Sequence, residues 1–297
     1  MIKIVPMALT AAILFAFAGC ATAQKTQTLA DGKSHFATFG TNQIHYVTVG
    51  HGQHTLVFVH CWAGNLDLWR AQVPALADKA RLILIDLPGH GQSDKPHTDY
   101  TLDFFAGAVL AVMEDAKVDK ATLIGHSMGG AVICRVYAQA PEKVAALVSV
   151  DGLLRRPNGT PAEAEAMIGQ FATPDYRRNA INFIAMLFGT NGPASLRDEI
   201  TAEMLQTPQY VMLGAMLGMF GPNQSDWDLK KVNVPVLVLN ARSPLWNDDY
   251  EKYVHSLSPQ TDYQMFDGAG HWLMLQKPAE FNAALVDMLQ KYNLIAK

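Results

Sequence analysis

Short apolar segments alternate with segments of helical periodicity along most of this chain. Five segments are apolar through most of their interior rather than at every second position, and they cover residues 55–60, 81–86, 121–125, 144–150 and 234–240. Continuous hydrophobicity of this kind is typical of strands buried on both faces, as in a parallel sheet covered by helices. Helical periodicity is found at residues 66–78, 102–116, 128–139 and 279–291. The alternation predicts an α/β fold with a mostly parallel, doubly wound sheet.

Two segments depart from this alternation. Residues 35–39 and 43–49 are strand-like and flank a Gly-Thr-Asn turn, which predicts an N-terminal antiparallel hairpin. Residues 152–225 have helical periodicity, several glycine and proline breaks and no strand-like run. We expect this segment to be a helical lid inserted between two parts of the core, residues 35–151 and 226–297. Six of the 13 methionines lie in the lid, and since methionine suits adaptable apolar surfaces, the lid favours an apolar substrate.

The first 23 residues have the pattern of a secretory signal peptide. Lys3 gives a positive start, residues 4–17 are almost entirely apolar, and Ala-Thr-Ala at 21–23 is a small-x-small cleavage site. The apolar run is shorter than the roughly 20 residues that span a bilayer. Residues 24–34 are polar and are expected to form a tether. The mature protein is therefore expected to be periplasmic or secreted.

A second processing route competes with this one. Phe-Ala-Gly-Cys at 17–20 resembles a bacterial lipoprotein box, in which Cys20 would carry a lipid and anchor the protein to a membrane. Phe17 departs from the aliphatic residue that usually begins such a box. The intact mass separates the routes, because an unlipidated chain that starts at Gln24 excludes the anchor. Contact with a membrane is expected only through Cys20.

Composition narrows the classes of function. The 297 residues are 49% hydrophobic, which is typical of a globular protein that buries a sizeable core. The formal net charge is −4 and no block of lysine and arginine occurs, so a nucleic-acid partner is not expected. Three cysteines are too few for a disulfide scaffold. The chain has no HExxH or clustered His/Cys spacing, so we expect no metal and no organic cofactor.

A Gly-His-Ser-Met-Gly-Gly sequence at residues 125–130 carries the first sign of chemistry. It follows a predicted strand and begins a predicted helix, which is the context that a G-x-S-x-G motif requires. The turn is so sharp that Ser127 must adopt a strained backbone, and the glycines are needed because a Cβ would collide with neighbouring elements. The Ser127 hydroxyl then projects above the sheet at the positive end of the helix. The motif predicts that Ser127 is a nucleophile.

With this motif the chain resembles the α/β-hydrolase family, in particular its lid-containing serine esterases and lipases, over roughly residues 35–297. Three more motifs support the resemblance: His-Cys-Trp at 60–62, Asp-Leu-Pro-Gly-His-Gly-Gln-Ser at 86–93, and Gly-Ala-Gly-His-Trp at 268–272. They match, in that order, the oxyanion loop, the structural loop after the fourth strand and the region of the catalytic histidine. The resemblance implies the α/β-hydrolase fold, with His271 as the base. We expect His126 to point away from the reacting bond.

The resemblance also implies an oxyanion hole made of two backbone N–H groups. Met128, directly after the nucleophile, supplies one donor, and Trp62 supplies the other by the family pattern. The sequence departs from that pattern because Cys61 replaces the usual glycine. Cys61 is therefore an alternative donor, and a nucleophilic Cys61 is the rival interpretation of this loop.

The acid of the triad is left open between two places. The family usually carries an aspartate a few residues after the strand at 234–240, but residues 241–246 contain no carboxylate, and Asp248 and Asp249 come later. The strand at 144–150 ends directly in Asp151. Some family members, certain haloalkane dehalogenases among them, carry their acid at this earlier strand end. We expect Asp151 to be the acid, with Asp248 or Asp249 as the alternative.

These residues predict a serine hydrolase that cleaves a small carboxylic ester with an apolar acyl or aromatic group through an acyl-enzyme. The same triad serves lactones such as an N-acyl homoserine lactone, amides and C–C bonds, which stay as alternatives. A scaffold that only binds a small ligand is a further alternative, favoured by Cys61 and by the missing late acid. The resemblance argues against haloalkane dehalogenase or epoxide hydrolase activity, since those members use aspartate where this chain has Ser127.

Overall fold

The computed structural model describes residues 26–156, 159–190, 192–222 and 228–296. The predicted signal peptide, its cleavage site and Cys20 lie outside the described residues, as does the start of the predicted tether. Within the described ranges, none of the helices combines the length and hydropathy that a membrane span needs.

A mostly parallel sheet forms the centre of the molecule, and the part of the chain that the structure describes contributes eight strands to it. The strands are β1 (Lys33–Phe39), β2 (Asn42–Gly50), β3 (Thr55–Val59), β4 (Arg81–Ile85), β5 (Ala121–His126), β6 (Val144–Val150), β7 (Val236–Ala241) and β8 (Thr261–Phe266). Their order across the sheet is β1-β2-β4-β3-β5-β6-β7-β8. β2 pairs antiparallel with β1 and β4, and the other neighbours are parallel. The predicted α/β fold and its N-terminal hairpin are confirmed.

Ten α-helices are found in the described ranges. They are α1 (Val73–Leu76), α2 (Leu102–Asp115), α3 (Met128–Gln139), α4 (Pro161–Gly169), α5 (Tyr176–Phe188), α6 (Ala194–Met204), α7 (Gln209–Phe220), α8 (Asp248–Leu257), α9 (Leu273–Gln276) and α10 (Pro278–Lys291). The helix predicted over 66–78 is instead a 3₁₀ turn, Leu66–Trp69, followed by the short α1. Pro74 lies in the first turn of α1, where no hydrogen bond needs its missing N–H. A proline inside a longer helix would remove a hydrogen bond, so one continuous helix over 66–78 is disfavoured.

Helices α4 to α7 lie between β6 and β7, within the segment predicted as a lid, and are called the helical insertion below. Most of its methionines pack its own interior and its base: Met204, Met212, Met216 and Met219 are buried. Met186 is 66% exposed. The methionines therefore serve mainly as core residues of the insertion.

The parallel strands bring distant parts of the chain to one edge of the sheet. Ser127 directly follows β5, Asp151 directly follows β6, and His271 follows β8 after a short loop. Because the carboxyl ends of parallel strands meet at the same edge, residues that follow them share one crevice.

Candidate active site

Ser127 occupies a strained turn between β5 and α3. Its backbone has φ 54° and ψ −116°, a conformation that side chains other than glycine rarely adopt. A Cβ at position 125 would overlap the carbonyl of Gly129, and a Cβ at position 129 would overlap the carbonyl of Val59. The glycines are needed because strand and helix approach each other this closely. The turn leaves Ser127 partly exposed above the sheet.

His271 and Asp151 are joined although 120 positions separate them in the chain. His271 Nδ1 lies 2.6 Å from Asp151 Oδ2, and the two side chains are 11% and 7% exposed. The carboxylate accepts a hydrogen bond from Nδ1–H. With its proton on Nδ1, an imidazole carries no proton on Nε2, on the other side of the ring. This is the arrangement that a histidine needs to act as a base.

Two further donors fix the carboxylate of Asp151. Its Oδ1 accepts hydrogen bonds from the backbone N–H of Ala241, at 2.8 Å, and from the indole Nε1 of Trp246, at 2.7 Å. Asp151 also has a positive φ of 41°, which turns its side chain out of the strand direction. Asp248 and Asp249, the alternative acids, are exposed in the first turn of α8. The structure brings Asp151 to His271 and leaves the other two aspartates at the surface.

The N–H groups proposed for the oxyanion hole are available. Within the described residues, the backbone N–H groups of Trp62 and Met128 have no hydrogen-bond acceptor, whereas that of Cys61 contacts the Cys61 thiol. Met128 is the first residue of α3, where the helix leaves N–H groups without partners. Of the two alternatives for the second donor, the N–H of Trp62 is therefore the one without a competing acceptor.

The thiol of Cys61 does not have the character of a nucleophile. Its side chain is buried, and burial raises the pKa of the thiol to about 12. A thiol with such a pKa is protonated and unreactive at neutral pH. The second described cysteine, Cys134, is also buried and is not joined to Cys61 by a disulfide.

A buried histidine and a buried aspartate hold the loop that carries Trp62. His60 Nε2 accepts the N–H of Leu87 at 3.0 Å, while Nδ1 donates to the carbonyl of Cys61 at 2.8 Å. Burial lowers the pKa of His60, so the ring is neutral and its tautomer is fixed by these two bonds. Asp86 accepts the N–H of Leu66 at 2.8 Å and so ties the same loop to the end of β4. These residues shape the site and do not face the reaction.

The helical insertion binds the loop that contains Trp62. The indole Nε1 of Trp62 donates to the carbonyl of Met212 on α7 at 2.9 Å. The ring centroid of Trp62 lies 4.9 Å from that of Phe171 and 5.7 Å from that of Phe183. Thr207 donates to the carbonyl of Ala63 at 3.0 Å. The candidate oxyanion loop is thus packed against the insertion.

The insertion also binds the loop that carries the base. The N–H of His271 donates to the carbonyl of Leu187 at 3.0 Å. Gln276 accepts the N–H of Gly270 at 2.7 Å and donates to the carbonyl of Phe188 at 3.1 Å. The last carbonyls of α5, which a helix end leaves unpaired, are therefore used by the loop around His271.

Sequence patterns did not reveal Trp246 and Gln276. Each has a side-chain contact with a residue far away in the chain, 95 positions for Trp246 and 88 for Gln276. The one available signal for Trp246 was a tryptophan in the short loop after β7. His126 was expected to point away from the reacting bond, and its Nε2 donates to the backbone carbonyl of His271 at 2.8 Å.

The fold and the site define a protein of the α/β-hydrolase class: a serine in a strained turn between strand and helix, a histidine bound to a buried aspartate, and N–H groups without acceptors at one edge of a mostly parallel sheet. Comparison with protein families gives the same result. The model of the alpha/beta hydrolase fold family matches residues 54–278, and the chain belongs to this family.

Several relatives of known name are similar to most of the chain. The dihydrolipoyllysine-residue acetyltransferase component of the acetoin cleaving system of Cupriavidus necator is 29% identical over 84% of this chain and 67% of its own length. A pimeloyl-[acyl-carrier protein] methyl ester esterase of Nitrosomonas europaea is 28% identical over 80% of this chain and 96% of its own length. Bifunctional epoxide hydrolase 2 of Sus scrofa is 24% identical over 84% of this chain and 53% of its own length. The chain thus spans only part of the first and third of these relatives.

Solved structures share the fold. An esterase from Exiguobacterium antarcticum has a TM-score of 0.78 at 20% identity and covers 87% of this chain and 100% of its own. An enol-lactonase from Burkholderia xenovorans has a TM-score of 0.76 at 19% identity and covers 86% of this chain and 100% of its own. The family includes hydrolases of several kinds, so the choice among them depends on the site.

Proposed function

We propose that this protein is a serine hydrolase that cleaves carboxylic esters of small molecules. The observation that carries the proposal is the 2.6 Å contact between His271 Nδ1 and Asp151 Oδ2, at the sheet edge where Ser127, with φ 54°, also lies. A buried carboxylate bound to a histidine, with a nucleophilic serine at the same edge of the sheet, is the combination that unrelated serine hydrolases use.

Acylation of the enzyme is the first half of the proposed reaction. Ser127 Oγ attacks the ester carbonyl while His271 Nε2 takes its proton, and the negative charge of Asp151 stabilises the resulting imidazolium. Charge then develops on the carbonyl oxygen. The N–H groups of Met128 and Trp62, which have no other acceptor in the described part of the chain, stabilise this oxyanion. The imidazolium gives its proton to the leaving alcohol.

Hydrolysis of the acyl-enzyme is the second half. His271 takes a proton from water, the hydroxide attacks the acyl carbon, and the same N–H groups stabilise the second oxyanion. Collapse of the intermediate returns the proton to Ser127 and releases the acid. The reaction consumes one water and needs no cofactor.

The aromatic side chains next to the candidate oxyanion loop favour the proposal of an apolar or aromatic substrate. Trp62, Phe171 and Phe183 form a cluster between the candidate oxyanion loop and the helical insertion. The methyl ester esterase among the relatives is similar over nearly its whole length, which favours ester chemistry over the other bonds that a triad can cleave. We further propose that the activity is exported, on the signal-peptide pattern of residues 1–23.

A series of p-nitrophenyl esters from acetyl to dodecanoyl tests the proposal. We expect turnover by the protein and no turnover by Ser127→Ala, with an optimum at one chain length. Ser256→Ala is the matched control, because Ser256 is an exposed serine on α8. A fluorophosphonate probe should label the protein and not Ser127→Ala. Labelling without turnover of any ester would contradict ester specificity, and absence of both would contradict a serine hydrolase.

A further inference from the structure

The orientation of Asp151 depends on a residue that no motif contains. Each oxygen of this carboxylate has its own partners: Oδ2 lies 2.6 Å from His271 Nδ1, and Oδ1 accepts from Trp246 Nε1 at 2.7 Å and from Ala241 at 2.8 Å. The indole N–H is the only side-chain donor to Oδ1 among the described residues. Trp246 is 7% exposed, so its hydrogen bond is shielded from water.

Trp246 is itself held in place by its neighbours. Its ring centroid lies 4.7 Å from that of Tyr250, at an angle of 54°. The hydroxyl of Tyr250 donates to the carbonyl of Gly152 at 3.1 Å and accepts the N–H of Leu154 at 3.2 Å. The start of α8 is therefore attached to the segment that directly follows Asp151. A tryptophan packed in this way presents its N–H in a fixed direction.

A carboxylate at the end of a strand needs such a donor. A partial rotation about the terminal torsion of Asp151 would move Oδ2 away from His271 and Oδ1 away from its own donors. A buried carboxylate oxygen without donors is also costly, by about 1–3 kcal/mol or more for a charged group. Together with the N–H of Ala241, the indole N–H satisfies Oδ1, keeps Oδ2 toward His271 and draws part of the negative charge away from the histidine.

We propose that Trp246 is a positioning residue that orients the carboxylate of Asp151 and sets the basicity of His271. This inference rests on the proposed function, since it assigns Trp246 a part in the same reaction. Trp246 itself touches no reacting atom. It acts through Asp151, and its effect must therefore appear in the ionisation of His271 and in kcat more than in substrate binding.

The test replaces the indole by a ring that cannot donate. Trp246→Phe keeps an aromatic ring against Tyr250 and removes the hydrogen bond to Oδ1. We expect kcat on the best p-nitrophenyl ester to fall about 10- to 100-fold, the range for loss of one hydrogen bond to a charged group, with KM changed less than about twofold. In the pH profile of kcat/KM, the apparent pKa on the acidic side (the acid limb) should rise. A carboxylate with fewer hydrogen-bond donors attracts the imidazolium proton more strongly.

A matched control separates this effect from a general loss of packing. Tyr253, also on α8, donates its hydroxyl to the carbonyls of Leu154 and Leu229 at 2.7 and 2.9 Å and does not touch Asp151. Tyr253→Phe should lower the melting temperature but leave the acid limb unmoved. The inference is wrong if Trp246→Phe keeps kcat within twofold and leaves the acid limb unmoved. If Ser127→Ala and Asp151→Asn are inactive in the same experiment, the proposed function stands. Activity of Ser127→Ala would contradict the proposed function itself.

A spectroscopic measurement serves if Trp246→Phe does not fold. The protein has five tryptophans, so its indole N–H region in a ¹⁵N-resolved NMR spectrum is sparse. In Asp151→Asn, a neutral amide replaces the carboxylate at the same size. We expect one indole N–H resonance to move upfield, because its acceptor has lost its charge. Five unmoved resonances would overturn the inference.

Discussion

At the scale of single residues, the site depends on backbone geometry as much as on side-chain chemistry. Ser127 and Asp151 both have positive φ, 54° and 41°, and each directly follows a strand. Such a conformation costs about 1–3 kcal/mol for a residue with a side chain, and it persists only where the surrounding structure enforces it. Gly270 has a different constraint, since a Cβ there would overlap the carbonyl of Phe188.

Gly270→Ala tests this close approach. The added methyl group must displace either α5 or the loop of His271, so we expect a loss of about 1–3 kcal/mol of unfolding free energy and a fall in kcat of about 100-fold. The checks are urea unfolding and ester hydrolysis. Gly169→Ala is the control, because no atom outside its own helix turn lies within 4 Å of a Cβ there. Equal behaviour of the two variants would contradict the constraint at Gly270.

Asp151→Asn tests the choice of the acid. The amide keeps the size of the side chain but cannot stabilise the imidazolium or select the same tautomer of His271. We expect kcat to fall by roughly 10⁴, the loss that follows when the acid of a serine triad is replaced in this way. Asp248→Asn and Asp249→Asn should each stay within about threefold of the unchanged protein, because both aspartates are exposed on α8. A loss below tenfold in Asp151→Asn, with a large loss in Asp248→Asn, would reverse the assignment.

At the scale of elements, the helical insertion is part of the site rather than a cover placed over it. α7 accepts the indole N–H of Trp62, and the end of α5 accepts the N–H of His271. Gln276 adds a second connection, from Gly270 to the carbonyl of Phe188. The candidate oxyanion loop and the loop of His271 are thus both hydrogen-bonded to the insertion. A displacement of the whole insertion would therefore disturb both loops.

Gln276→Ala tests the link between the insertion and the base. The variant loses the hydrogen bonds to Gly270 and Phe188, each worth about 1 kcal/mol, so we expect a fall in kcat of about tenfold. Hydrogen exchange should also become faster at the end of α5 and in the loop of residues 268–271. Gln206→Ala, an exposed glutamine on the same insertion, should change neither measurement. Unchanged exchange in both variants would show that the link does not hold the loop.

At the scale of the whole molecule, buried histidines make stability depend on pH. Burial lowers the pKa of His60, brings that of His90 to about 3, and places that of His126 well below its ordinary value. The three rings are therefore neutral in the folded protein at pH values where the unfolded chain, with histidine pKa values near 6.5, takes up protons. Below about pH 6.5 the unfolded chain therefore binds more protons than the folded protein, and lowering the pH further reduces the free energy of unfolding.

The expected result is a free energy of unfolding that is level above about pH 7 and falls as the pH drops below 6.5. Each buried neutral histidine contributes up to about 1.4 kcal/mol per pH unit to the fall. Urea unfolding at a series of pH values from 5 to 8 measures the slope. His90→Leu should reduce the slope by about one third, whereas His97→Leu, at an exposed position, should leave it unchanged. A free energy of unfolding that increases as the pH falls from 6.5 to 5 would contradict this prediction.

Much of this protein was determined by local sequence. Continuous apolar runs specified most of the parallel strands, because a strand buried on both faces can expose no polar position. Gly125 and Gly129 specified the sharp turn at Ser127, because a residue with a Cβ does not fit where strand and helix approach each other so closely. Local signals placed α8 less well: its apolar positions are few, and the segment was not predicted as a helix.

Tertiary structure decided what depends on contacts between distant segments. The sequence offered Asp151, Asp248 and Asp249 as acids. Only the tertiary structure decided that the loop after β8 reaches past β7 to the end of β6, where His271 meets Asp151. Trp246 and Gln276 belong to no spacing pattern, since each is defined by a partner on another element. Periodicity and turn chemistry are properties of neighbouring residues and can be derived from the chain alone. The partner of a buried carboxylate depends on which strand ends meet, and that is fixed only when the sheet has formed.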